Sequence, residues 1–163
     1  MLQLLQSAPP AAGGSAAWSL ANSWTYSADV ANVDFTNLGS YNELMLLVRN
    51  ITVSVSGVRV LYVSTDNGAN YRNTSGDYVN LVANNIEANT TGVGFGTSNS
   101  ALARSGIIKI PQSGLNGVPK IIENQTLGLG SVFVQSTSPI NAVRITNNTG
   151  GNLTGGTIHV FGR

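Results

Sequence analysis

The 163-residue chain has no cysteine, which excludes a disulfide framework, thiolate metal ligands and a cysteine nucleophile. Charge is nearly as scarce. Asp, Glu, Lys and Arg make up 9% of the residues, where an ordinary soluble domain carries roughly 25%. The formal net charge of +1 gives no long-range field to draw in DNA, RNA or an anionic membrane, so no nucleic-acid partner is expected. No apolar run is long enough to cross a bilayer as a helix, and no membrane insertion is expected. His159 is the sole histidine, so a multi-histidine metal cluster is excluded and any Ser-His-Asp triad would have to use it. Good helix formers are few, and Gly or Asn interrupts nearly every stretch long enough to become a helix.

Small uncharged residues fill the gap. Gly, Asn, Ser and Thr account for 69 of the 163 residues, while apolar residues still make up 42%. The chain can therefore build a core and is not a disordered tail. Its local pattern is strand and turn: Glu43–Ser56, Val58–Ser64, Ala69–Asn73, Tyr78–Val82, Gly106–Ile110, Pro119–Glu123, Ser131–Gln135, Ala142–Thr146 and Thr157–Phe161 read as strands. Within the first, Leu44, Leu46 and Val48 share one face, whereas Ile51, Val53 and Val55 have the opposite parity, so a β-bulge or break is expected near Arg49-Asn50. Residues Asn84 to Ala103 read mostly as loop, either a plain surface loop or a contact loop at the tip of the fold. The expected fold is all-β, an antiparallel β-sandwich of jelly-roll type spanning residues 18–163, with a short N-terminal arm over residues 1–17.

The arm begins MLQLLQ and runs through Pro9-Pro10 into a small-residue stretch. It has no basic n-region, and Gln3 and Gln6 break its apolar stretch, so a signal peptide is not expected. A docking arm tipped by Met1, Leu2, Leu4 and Leu5 and a frayed terminus are the two readings left open.

Ser64-Thr65-Asp66-Asn67-Gly68-Ala69-Asn70-Tyr71 resembles the Asp-box, Ser-x-Asp-x-Gly-x-x-aromatic, of sialidase-like propellers and several unrelated β proteins. The resemblance implies that Ser64 and Asp66 satisfy backbone groups of the turn, Gly68 supplies its unusual dihedral and Tyr71 packs beneath. The motif usually ends in Trp, and propellers carry several copies, so a structural hairpin is implied and not a sialidase.

Other chemistry has little to build on. A calcium site at Asp66, Asn67 and Asn70 would have one carboxylate where several are usual, and no metal or cofactor is expected. Asp66 with Asp77, or Asp29 with Asp34, could form a glycosidase pair, but scattered acids on any β fold could do so. His159 alternates away from Ile158 and Val160, onto a surface or subunit interface. No catalytic residue is assigned, and the protein is expected not to be an enzyme. Trp18, Trp24 and Tyr26 cluster near the start, and Tyr62, Tyr71 and Tyr78 flank the hairpin. Large aromatics ordinarily complete a core or interface; stacking on sugar rings is the second use weighed for these six, with Trp18, Trp24 and Tyr26 as the candidate glycan contacts. Six Asn-x-Ser/Thr sequons (Asn50, Asn73, Asn89, Asn124, Asn147 and Asn152) exceed the chance number only slightly and carry no glycosylation reading.

Two stretches are informative together. Phe35-Thr36-Asn37-Leu38 through Tyr41-Asn42-Glu43-Leu44-Met45-Leu46, leading into the hairpin, is one. The other is Ile140-Asn141-Ala142-Val143-Arg144-Ile145 through Gly155-Gly156-Thr157-Ile158-His159-Val160-Phe161-Gly162. Both resemble the small jelly-roll modules of tailed-bacteriophage virion proteins, found in tail fibres, head fibres and capsid decoration proteins. The resemblance implies a homotrimeric structural subunit on the exterior of a virion. Residues Met1 to Leu5 would then attach it to other virion proteins, and host surface glycan is a further partner weighed. The alternative is a carbohydrate-binding module that recognises host surface glycans.

Overall fold

The computed structural model describes residues 16–82, 85–96, 102–126, 130–134 and 136–163, so Met1, Leu2, Leu4 and Leu5 of the arm lie outside the described residues. Twelve strands and no helix are found among them. They are β1 (Ser19–Thr25), β2 (Asn32–Phe35), β3 (Leu44–Val53), β4 (Arg59–Ser64), β5 (Tyr78–Val82), β6 (Asn85–Thr90), β7 (Val93–Gly94), β8 (Arg104–Ile110), β9 (Lys120–Asn124), β10 (Gly130–Val134), β11 (Ala142–Asn147) and β12 (Leu153–Gly162). All pairings are antiparallel. The large sheet runs β1-β12-β3-β8-β9-β10-β5-β6 and the small sheet β2-β11-β4-β7.

That order is a jelly roll. β1 pairs with β12, β2 with β11, β3 with β8 and β4 with β7, as in one long hairpin folded over on itself. Successive pairs fall alternately in the large and small sheets, giving four strands facing four. The excursions β5-β6 and β9-β10 add four further strands to the large sheet beyond β8. Between the layers lie Leu44, Leu46, Val48, Ile108, Ile110, Ile158 and Val160 from the large sheet and Val33, Phe35, Leu61, Val63, Val143 and Ile145 from the small one.

β3 switches its buried face at the expected place. Leu44, Leu46 and Val48 are buried, Arg49 and Asn50 are exposed, and burial resumes at Ile51 and Val53. Asn50 has φ +52, and the register against β8 slips between Val48 and Ile51. Val55 lies past the strand end and is exposed, so it does not continue the inward set. β12 answers with a slip of its own. Leu153 pairs with Val53 and Ile158 with Val48, and the buried parity changes across Gly155-Gly156. Gly156 has φ +102, and a Cβ there would lie 2.5 Å from the Arg49 carbonyl oxygen and 2.7 Å from Asn50 backbone atoms. Only glycine admits both that dihedral and that approach.

Three expectations are corrected. β1 and β2 were not foreseen, because Ser19–Thr25 is an edge strand with little apolar alternation and Asn32–Phe35 is only four residues long. The 84–103 stretch, expected to be mostly loop, carries two strands not foreseen, β6 and β7, among its described residues. Ala69–Asn73 is not a strand. Arg72 N–H donates to the Val63 carbonyl at 2.9 Å, as a paired strand would. The reciprocal bond is intercepted by the Tyr78 hydroxyl, which accepts from Val63 N–H at 3.0 Å and donates to the Arg72 carbonyl at 2.9 Å.

Candidate functional site

The hairpin after β4 is built around two side chains. Ser64 Oγ accepts from Asp66 N–H at 3.2 Å and Gly68 N–H at 2.9 Å, and donates to Asp66 Oδ1 at 2.6 Å. Asp66 Oδ1 and Oδ2 in turn accept from the backbone and side chain of Asn70 at 2.9 and 2.8 Å. The Ser64 hydroxyl, followed by the two Asn70 donors, brings the Asp66 carboxyl down to about 2. Gly68 turns the chain at φ +90. The Tyr71 hydroxyl is buried against Gly68, 3.0 Å from where a Cβ would stand, with no hydrogen-bond partner. Both Asp66 oxygens thus serve the turn itself. Among the described residues, no group of three His, Cys, Asp or Glu side chains could hold a metal ion.

Asparagines tie this turn to two other loops. Asn67 N–H donates to Asn141 Oδ1 at 2.6 Å, Asn37 N–H to Asn67 Oδ1 at 2.6 Å, and Asn67 Nδ2 to Asn37 Oδ1 at 3.0 Å. Asn141 Nδ2 reaches back to the Thr65 carbonyl at 3.1 Å. Asn37 and Asn67 both sit at positive φ, which asparagine tolerates better than most residues.

The two sheets present different outer faces. On the small sheet, Asp34, Arg144 and Tyr62 stand in one row across β2, β11 and β4. Arg144 Nε and Nη2 donate to Asp34 Oδ1 and Oδ2 at 2.7 and 2.6 Å, a bidentate fork, and its guanidinium carbon lies 4.1 Å from the Tyr71 ring centroid. That carboxylate raises the Arg144 pKa. On the large sheet, register places Ser23, His159, Leu47 and Ile107 in one outward row and Leu20, Phe161, Met45, Lys109 and Glu123 in the next. Leu20 is 56% exposed, Met45, Leu47, Ile107 and Phe161 are half-buried, and the His159 and Phe161 rings stack at 6.4 Å.

The early aromatics do not form a common platform. Trp24 turns inward onto the core and meets Tyr26 edge-on at 6.5 Å, while Trp18 lies under the Arg163 guanidinium at 4.8 Å. The Tyr26 hydroxyl donates to Asp29 at 3.0 Å. The carboxylates weighed for hydrolysis are engaged separately. Asp29 holds Tyr26, Asp34 holds Arg144, Asp66 holds its turn, and Asp77 accepts from Thr74 N–H and Oγ1 and from Arg72.

Two buried cations were not anticipated. Arg59 is fully buried, with Nη2 donating to the Leu102 carbonyl at 2.9 Å; burial, reinforced by Arg104, lowers its pKa. Lys120 is also fully buried, and its ammonium donates to the carbonyls of Leu115, Val118 and Thr137. Burial pushes its pKa down. The signal for Lys120 was its parity, since it shares a face of β9 with buried Ile122. A pocket of about 370 Å³ lined by Pro119, Val134, Ser136 and Thr137 lies alongside, but the Lys120 donors are spent on carbonyls. No helix among the described residues is long and apolar enough to cross a membrane. No protein-family model, no curated protein and no solved structure matches the chain.

Proposed function

We propose that this chain is a structural protein of a phage virion: a jelly-roll fibre or capsid-decoration subunit, displayed on the particle exterior, homotrimeric and without catalysis of its own. The outer face of the large sheet carries this reading. An antiparallel strand with one wet face alternates apolar and polar residues, whereas a strand covered on both faces is apolar throughout. β3 opens Leu-Met-Leu-Leu-Val, apolar on both sides, and Phe161, Ile107 and Leu20 extend its outer surface across neighbouring strands. On the small sheet the corresponding positions hold Asp34, Arg144 and Tyr62.

A second copy of the chain is the partner that suits this face. Lys109 and Glu123 stand directly opposite each other, so the face offers little net charge for a charged partner to recognise. Neutral apolar faces can meet their own copies about a symmetry axis without like-charge repulsion. The arm joins β1, an edge strand of the same sheet, and in this reading it binds a neighbouring virion protein.

Sedimentation of the purified chain tests the assembly: a species of three 16.9 kDa subunits is expected, and a monomer at micromolar concentration refutes it. Labelling the subunit in electron micrographs of its native particle tests the location, and its absence from the particle surface refutes the virion reading. Deleting residues 1–17 should leave a folded domain that no longer joins particles.

A further inference from the structure

We propose that the outer face of the small sheet is a shallow binding site for a neutral pyranose, with Tyr62 as the stacking platform and the Asp34–Arg144 pair as the hydroxyl clamp. This site lies on the sheet opposite the assembly face and does not depend on the trimer.

The three side chains occupy one row on adjacent strands, Asp34 opposite Arg144 and Arg144 opposite Tyr62. With strands about 4.8 Å apart, the row spans roughly 10 Å, a reach suited to one sugar ring and its substituents. Tyr62 is half-buried because its ring lies against Gly92, where a Cβ would come within 2.6 Å of a ring carbon. The rest of the side chain is only partly covered. An aromatic face beside a few convergent polar groups is the ordinary make-up of a small-ligand site.

The clamp has capacity left over. Arg144 spends Nε and Nη2 on Asp34, which leaves Nη1 as a further donor, and each Asp34 oxygen keeps a lone pair beyond the N–H it accepts. Both side chains remain partly open, at 30% and 38%. Tyr71 covers one face of the guanidinium at 4.1 Å, so the fork is already oriented before any ligand arrives. Vicinal hydroxyls suit this arrangement, one donating to Asp34 and its neighbour accepting from Arg144. The opposite charges cancel, so neither a carboxylated sugar nor a cationic one gains an electrostatic advantage.

The test uses the full chain, titrated by NMR with the methyl glycosides of glucose, galactose, mannose and N-acetylglucosamine, and with glucuronic and N-acetylneuraminic acids as charged probes. At least one neutral glycoside should saturate with a Kd on the order of 1 mM, as a single shallow subsite allows. Shifts should centre on Tyr62, Arg144 and Asp34. Tyr62→Ala and Asp34→Asn should each weaken binding about tenfold or more, and Gly92→Ala, which keeps the ring but moves it, should also weaken it. Tyr62→Phe should retain binding. No saturation by any neutral glycoside, binding by the charged sugars alone, shifts centred elsewhere, or affinity unchanged in Tyr62→Ala would each overturn the proposal. Should Tyr62→Ala fail to fold, the shift map and Gly92→Ala decide it. A monomer that still binds would end the trimer reading and leave this site standing.

Discussion

Gly156→Ala should be among the most damaging single-atom changes in the molecule. Its φ of +102 lies outside the range an L side chain adopts comfortably, and holding alanine there costs about 2 kcal/mol. The added Cβ would also stand 2.5 Å from the Arg49 carbonyl oxygen and 2.7 Å from the Asn50 carbonyl group. These are backbone atoms within the β3 bulge and cannot swing aside as a side-chain end could, so relief requires β3 or β12 to move, at a cost of about 1–3 kcal/mol. Together the effects come to roughly 3–5 kcal/mol, a large part of a typical 5–15 kcal/mol stability. With a urea slope near 2 kcal/mol per molar, the unfolding midpoint should fall by about 1.5–2.5 M. Gly117→Ala and Gly150→Ala separate the two causes, because both glycines have positive φ and nothing lies within 4 Å of their Cβ positions. They should lose only the dihedral part, about 1–2 kcal/mol. If Gly156→Ala unfolds at the same urea concentration as these two, close approach to the bulge contributes nothing and the matched-bulge account fails.

Leu47→Asp would place a carboxylate in each copy of the proposed interface, at about 3 kcal/mol per subunit. The concentration for half-assembly should rise at least about 100-fold with the circular dichroism spectrum intact, and sedimentation as an unchanged trimer would refute the interface. Tyr78→Phe removes the hydroxyl that bridges Val63 N–H and the Arg72 carbonyl. It should cost about 1–3 kcal/mol by urea unfolding, and a loss too small to resolve would show that water replaces the bridge. The Asp66 carboxyl sits at about 2 in the fold against an ordinary 3.8, so its charged form is the one the fold favours. Its stabilisation is present above about pH 4 and lost as pH falls towards 2. The melting-temperature difference between wild type and Asp66→Asn should shrink across that window, and a constant difference would refute the assignment.

What was legible in the sequence was whatever depends on neighbours along the chain. The reversal of apolar parity from Leu44-Leu46-Val48 to Ile51-Val53 marked the β3 bulge, because side chains alternate strictly in a strand. The same rule applied to Leu153 and Ile158-Val160, with Gly155-Gly156 between them, would have marked the answering slip in β12. β1 was hidden because an edge strand covered on part of one face needs no alternation, as Leu20, Asn22 and Ser23 illustrate. Ala69–Asn73 misled because its pairing fails through the hydroxyl of Tyr78, and no local pattern reveals an atom arriving from later in the chain. The row Asp34–Arg144–Tyr62 was invisible for a similar reason: residues 110 apart meet only through the folded-over hairpin. Tyr62 had been weighed with the other aromatics for sugar stacking and Asp34 for a glycosidase pair, but nothing in the sequence brought the two together. Arg59 stands between Val58 and Val60, and the β4 pattern buries both parities at that end, so alternation alone does not mark it as buried.

The shortage of charge also makes a prediction about how the fold is held. The ion pairs among the described residues include Arg72–Asp77, Arg144–Asp34 and Arg163–Glu43, at 3.2, 2.6 and 2.7 Å, all with partly exposed side chains. Loop-to-loop ties fall to amides instead. Asn67 joins Asn37 and Asn141, Asn147 holds the Val55 carbonyl at 2.8 Å, and Asn124 holds the Gly94 carbonyl at 2.7 Å. Amides do not titrate and are not screened by salt, whereas partly exposed ion pairs contribute about 0.5 kcal/mol each and weaken as the Debye length shrinks. Raising NaCl from about 0.05 to 1 M should therefore remove about 1.5 kcal/mol from these three pairs, which lowers the melting temperature by about 6 °C or less. A fall of more than about 10 °C would mean that charge, despite its scarcity, carries the fold. A fall within the limit fits a subunit whose surroundings set its salt and pH, since the contacts that join its loops are indifferent to both.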